Sequence, residues 1–250
     1  MPVDKKTAAY DRIARQYKAS KKLAFREIIE WYSYSKLLGD VSQKSVLDLA
    51  CGEGFYSRRI KRKGAQKVIG VDISERMIEL ARQQEKNHPL EIDYFVCDVM
   101  ELEKIGSFDL VVASYLLNYA RTREQLLEMC RAISINLKSG GRFVSMNNNP
   151  DQPPASFPLC KKYGFTKSLS GPLVEGAPIT YEFFRIGQKF RIDNYYLSRK
   201  THDWAFRQTG FKTIRWHRIE AAPEGLKKFG QEFWQDFIDC QPIIAIECLK

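Results

Sequence analysis

Hydrophobic positions along this chain alternate between two periods. "KSVLDLA", "KVIGVD", "EIDYFVCD", "FDLVVASYL" and "GGRFVSMNN" are short runs rich in Val, Ile, Phe and Tyr, which predicts strands. Between them lie "GFYSRRIKRKG", "SERMIELARQQEK" and "REQLLEMCRAISINL", whose apolar residues recur at helical spacing; Met77, Ile78, Leu80 and Ala81 mark one such face. Thr122, with Gln125 three residues on, predicts a capping box at the start of the third helix. Strands alternating with helices predict an α/β fold, a parallel sheet covered on both faces.

The alternation breaks after Asn149. "NPDQPPASFP" is loop chemistry, and "ITYEFFRIGQKFRIDNYYLS" alternates like a strand about a Gly-Gln turn, which predicts an antiparallel hairpin. The helix–strand order then resumes. "THDWAFRQTG" is a helix that Gly210 ends, "FKTIRWHRI" a strand, "EGLKKFGQEFWQDFID" one helix and "IIAIECLK" a last strand. The expected organisation is a helical segment over 1–43, a core over 44–149 and 201–250, and an insertion over 150–200.

Composition adjusts this picture slightly. The 250 residues are 44% hydrophobic, enough for one large core with an appendage. No apolar run has membrane-spanning length, and the first residues lack a secretory apolar block, so a cytoplasmic protein without membrane association is expected. The six cysteines form no CxxC pair and read as reduced thiols; with three scattered histidines, no metal site is expected. The net charge of +10 lies mainly in residues 1–45, with 10 basic and 5 acidic side chains, and in 150–200, with 8 and 4. A solvated surface is the expectation. The basic run Arg58 to Lys67 reads the same way, because most of it faces away from the strand ends.

The candidate chemistry sits in "VLDLACGEGFYSRR", a strand–glycine–helix turn. Gly52 and Gly54 fit the start of a GxGxxG dinucleotide loop, but Ser57 stands at the third glycine. Acidic residues at successive strand ends decide between ligand classes. Asp48 precedes the glycines. Asp72 is placed to accept ribose hydroxyls, and Asp98 to accept from an adenine amino group beside Val99. Such a set suits a ligand with a ribose, an adenine and an ammonium group, and no phosphate.

These residues, with Ala50 and "FDLVVASYLLNYA", resemble the class I S-adenosylmethionine-dependent methyltransferases. The resemblance implies a Rossmann-like sheet in the order 3-2-1-4-5-7-6 with strand 7 antiparallel, an N-terminal helical lid and a substrate-capping insertion. It implies S-adenosyl-L-methionine as cofactor and S-adenosyl-L-homocysteine as product. Asp48, Ala50, Gly52, Gly54, Asp72, Ile73, Asp98, Val99 and Ser114 are then the cofactor-binding candidates, joined by Tyr17 and Arg26. Where the family often has glycine, this chain has Ala50. "AYDRIARQY", "SVLDLACGEGFYSRRI", "VASYLLNYA" and "GGRFV…NNNP" further resemble the toxoflavin methyltransferase group, which implies natural-product chemistry on a planar heterocycle.

Tyr10 and Tyr17 stand seven residues apart, on one face of a helix, and the resemblance implies that this helix closes the pocket. Tyr10, Asn118 and Glu182 are the catalytic candidates. Tyr10, Tyr115, Tyr119, Asn147, Tyr181 and Phe183 are the substrate-binding candidates. The expected activity is methyl transfer to a nitrogen, or less readily an oxygen, of a small planar metabolite, by a monomer or homodimer without nucleic acid. Two rival readings are an RNA methyltransferase, motivated by the charge, and a non-catalytic cofactor-binding module.

Overall fold

A computed structural model describes residues 16–185 and 188–250; Tyr10 lies outside the described residues. A seven-stranded sheet forms the centre. Its strands are β1 (Ser45–Leu49), β2 (Lys67–Asp72), β3 (Ile92–Val96), β4 (Phe108–Ser114), β5 (Leu137–Asn148), β9 (Thr213–His217) and β10 (Ile243–Leu249). They lie in the order β3-β2-β1-β4-β5-β10-β9. The pairs among β1 to β5 are parallel, and β10 runs antiparallel to both β5 and β9. The expected order 3-2-1-4-5-7-6 is therefore the observed one, with β10 as its seventh strand.

Alternation along these strands feeds two apolar layers. Val46, Val68, Leu110, Val112 and Val144 enter one layer, with Tyr34, Tyr56 and Ile60 from α1 (Tyr32–Leu38) and α2 (Phe55–Arg62). Leu47, Val71, Val111 and Phe143 enter the other, with Leu126, Cys130, Ile133 and Phe206 from α4 (Arg123–Ile135) and α5 (Arg199–Gln208). On α3 (Glu75–Asn87), Met77, Ile78 and Ala81 are buried as the spacing predicts, while Leu80 is half-buried. Thr122 caps α4 by accepting from the Gln125 N–H, but the Gln125 side chain accepts from the Arg121 N–H, so the reciprocal bond is displaced by one residue.

Three further expectations need correction. The segment "EGLKKFGQEFWQDFID" is two helices, α6 (Pro223–Phe229) and α7 (Gln231–Cys240). Gly230 separates them at φ 83°, ψ 153°, a conformation essentially reserved for glycine. The insertion is a three-stranded antiparallel sheet: β6 (Phe165–Leu169) pairs with β7 (Pro178–Arg185), which pairs with β8 (Gln188–Tyr195). Only the hairpin was foreseen. Arg58 is not solvated: it is buried and ion-paired with Glu53 at 2.8 Å. No helix among the described residues is long and apolar enough to cross a membrane.

Candidate active site

The ends of β1, β2 and β4 meet a cavity of roughly 730 Å³. Its floor is the turn that follows β1. Ala50, Gly52 and Gly54 all take positive φ, at 54°, 57° and 76°, so the backbone reverses within five residues and starts α2 at once. A Cβ on Gly54 would collide with the phenol of Tyr94, which crosses the turn from β3. Ser57, which breaks the dinucleotide pattern, donates from Oγ to the carboxylate of Asp48. A glycine there would leave that buried carboxylate without its side-chain donor.

Asp72 ties the turn to the second strand. Its Oδ2 accepts from the Gly52 N–H at 2.8 Å and its Oδ1 from the Ser74 N–H at 2.9 Å. Asp98 Oδ1 accepts from the Met100 N–H at 2.9 Å, which fixes the short 3₁₀ turn Val99–Glu101. The cavity is lined by Tyr17, Ala50, Gly52, Asp72, Ile73, Asp98, Val99 and Ser114, and also by Met77, Leu116 and Met129. Carboxylates stand on the rim and apolar side chains between them. That donor and acceptor set fits an adenosine with a flat ring and a diol, and among the described residues no lysine or arginine lines it to cradle a phosphate.

Three cofactor candidates sit elsewhere. Asp48 is buried beneath the turn and does not line the cavity; burial pushes its carboxyl up to about 7, against the bond from Ser57, with Asp72 adding to the rise. Gly54 shapes the turn from behind. Arg26 lies in a π-helical stretch, Arg26–Trp31, and is committed to Glu30, four residues on. Glu30 is fully buried and also accepts from the phenol of Tyr115. The sequence reading missed Glu30, although its i,i+4 spacing to Arg26 on a helical stretch was the available signal.

Tyr115 adopts φ 68°, uncommon for a non-glycine residue, with its N–H held by the Met146 carbonyl at 2.8 Å. That conformation sends its ring between the first cavity and a second of roughly 410 Å³. Tyr17, Tyr115 and Tyr119 line both. The rest of the second cavity is largely aromatic, with Phe25, Phe165, Tyr181 and Phe183, beside Arg26, Asn148 and Asn194. Tyr181 and Phe183 point inward on β7, and alternation turns Glu182 outward to an ion pair with Arg191 at 3.0 Å. Glu182 lines neither cavity, so its expected catalytic role is corrected. Asn118 and Asn147 are buried at a third cavity instead.

Comparison with known proteins agrees with this geometry. A methyltransferase domain model matches residues 46–141. N-demethylindolmycin N-methyltransferase of Streptomyces griseus is 28% identical over 180 residues, 71% of this chain and 73% of that one. A solved structure of a putative S-adenosylmethionine-dependent methyltransferase from Listeria monocytogenes superposes with a TM-score of 0.63 at 25% identity, over 88% of this chain and 96% of that chain. Residues 46–141 are a methyltransferase domain, and the domain match, the relative and the solved structure together indicate an S-adenosylmethionine-dependent methyltransferase.

In this methyltransferase the first cavity, lined by Asp72 and Asp98, is the one whose residues suit S-adenosylmethionine. The Ubiquinone biosynthesis O-methyltransferase of Bordetella pertussis is 33% identical over 116 residues, 45% of this chain and 46% of that one, so the chain spans about half of that relative's length.

Proposed function

We propose that this enzyme methylates a nitrogen of a small, planar, heteroaromatic metabolite. One observation carries the reading: an aromatic cavity adjoins the cofactor cavity, and three tyrosines, Tyr17, Tyr115 and Tyr119, form the shared wall. Bound S-adenosylmethionine supplies an activated methyl group on a sulfonium. The protein's part is to align the acceptor and exclude water, and alignment of this kind lowers a barrier by roughly 7–11 kcal/mol.

The side chains at the wall favour nitrogen over oxygen. Burial pushes the Tyr17 phenol up to about 12, with Arg26 opposing the rise, and it raises Tyr115 and Tyr119 as well. All three stay protonated at neutral pH. They can donate hydrogen bonds or present π-faces, but they cannot take a proton from an alcohol. The Glu30 carboxylate holds Arg26 and Tyr115 through Oε2 and lines neither cavity. A nucleophile here therefore brings its own lone pair, as a ring nitrogen or amine does. The name of the Streptomyces griseus relative, an N-methyltransferase, supports the same choice, as does the likeness to the toxoflavin group.

The test is methyl transfer from radiolabelled S-adenosylmethionine to a panel of heteroaromatic amines and matched phenols, with the methylated atom located by mass spectrometry. Label on nitrogen in several amines is the expected result. Label on phenol oxygen alone, or transfer to structured RNA and to no small molecule, overturns the proposal.

A further inference from the structure

Beyond the aromatic cavity lies a third, roughly 410 Å³, whose lining includes Asn118, Asn147, Asn148, Gln152, Lys167 and His202. Tyr181 and Asn148 line both the second and third cavities. Asn118 Nδ2, Asn147 Oδ1, Asn148 Oδ1, Tyr181 OH and His202 Nε2 all point into protein surroundings without a hydrogen-bond partner. Asn118, Asn147, Tyr181 and His202 are at most 5% exposed. Buried polar groups in folded proteins are nearly always paired, so a cluster of unpaired ones around one cavity marks a place where a ligand supplies the partners. His202 Nδ1 lies 3.0 Å from the Ser198 carbonyl, which puts the proton on Nδ1 and leaves a lone pair on Nε2.

Lys167 is the unusual member. It is 5% exposed, on the inward face of β6 between Phe165 and Leu169. Its Nζ donates to Gln152 Oε1 at 2.6 Å and to the Pro242 carbonyl at 2.8 Å, so two of its three N–H groups are used. It also sits 4.9 Å from the Tyr181 ring centre. No carboxylate among the described residues pairs with it. Burial pushes its ammonium down to about 7. A buried lysine without a counter-ion, beside an open cavity with two further donors in Asn118 Nδ2 and Tyr181 OH, is arranged to meet an anion.

We propose that the third cavity receives a carboxylate carried by the methyl acceptor and paired with Lys167, while the acceptor's flat ring occupies the aromatic cavity between it and the cofactor. The proposal rests on the acceptor-cavity reading above. It assigns Lys167 as a specificity residue. Asn118 Nδ2 and Tyr181 OH then donate to the same carboxylate.

Calorimetry on the full chain tests this, with and without saturating S-adenosylhomocysteine. The probes are indole-3-propionate, 3-(4-hydroxyphenyl)propionate and 3-(imidazol-4-yl)propionate, each against its primary amide, which keeps the shape and removes the charge. At least one acid is expected to bind about tenfold or more tightly than its amide. Lys167→Met is expected to erase that preference while leaving S-adenosylhomocysteine affinity unchanged. Acids that bind no better than their amides, or not at all, overturn the proposal, and so does a preference that survives Lys167→Met. The wild-type comparison decides the matter even where the variant fails to fold. Absence of S-adenosylhomocysteine binding to the wild type would instead remove the methyltransferase reading, without touching the acid preference measured in its absence.

Discussion

The most constrained residues in this protein are charged and out of sight. Arg26 and Glu30 pair in the interior, at 3% and 0% exposure, and Tyr115 donates to the same carboxylate. Arg26 also stacks near the rings of Phe25 and Tyr115, at 4.7 Å and 5.1 Å. Breaking such a pair leaves a buried charge alone, whereas replacing both partners with apolar groups does not. Glu30→Ala is therefore expected to lose about 3–5 kcal/mol in urea unfolding. The double variant Arg26→Met, Glu30→Leu is expected to lose clearly less than that. A double variant as unstable as the sum of its single changes would mean that the pair holds the wall by more than charge compensation. None of this was visible when Arg26 was read alone as a cofactor-binding candidate. A single arginine on a helix carries little information; its meaning came from a glutamate one turn away and a tyrosine 85 residues on.

At the scale of elements, what the sequence made legible was periodicity. The sheet order, the helices that cover it and the hairpin all follow from runs of period two and period 3.6. The cofactor cavity was legible too, because strand ends and a positive-φ turn place residues by backbone geometry. The failures share one cause: features set by contacts between distant segments. Gly230 looked like a tolerable glycine within an amphipathic run, yet its backbone turns the chain so that Trp234 and Phe237 bury. The strand "FTKSL" was missed because its inward face carries Lys167 where an apolar residue was expected. Glu182 fell on the wrong side of its strand, one residue from the inward Tyr181 and Phe183. The turn after β1 offers the test at this scale. Gly54→Ala demands a positive φ from alanine and displaces Tyr94, a cost of about 1–2 kcal/mol from the backbone alone. It is expected to lower the melting temperature and weaken S-adenosylhomocysteine binding by at least several-fold. Unchanged binding would show that the turn tolerates a shift without disturbing the cavity.

The whole molecule carries its interior charges as a pH signature. Asp48 titrates at about 7 in the fold, above the ordinary 3.8, because burial penalises the carboxylate. The folded chain thus holds more protons than the unfolded one between those values, and stability from this group is lost as pH rises from about 4 to 7. Lys167 titrates at about 7, below the ordinary 10.5, again through burial. Here the unfolded chain holds more protons, so stability is gained as pH rises from about 7 to 10. Lys21, pushed down to about 8 by burial and by Arg26, adds to the same alkaline gain. The opposed signs meet near neutrality, where these groups together contribute least. Ligand-free protein is therefore expected to show an urea midpoint with a shallow minimum near pH 7. Asp48→Asn should flatten the limb below pH 7, and Lys167→Met should reduce the slope above it, with Lys21 supplying what remains. Midpoints measured from pH 5 to 9.5 in all three proteins check this. Curves that stay parallel would mean that neither buried group changes its proton affinity on folding.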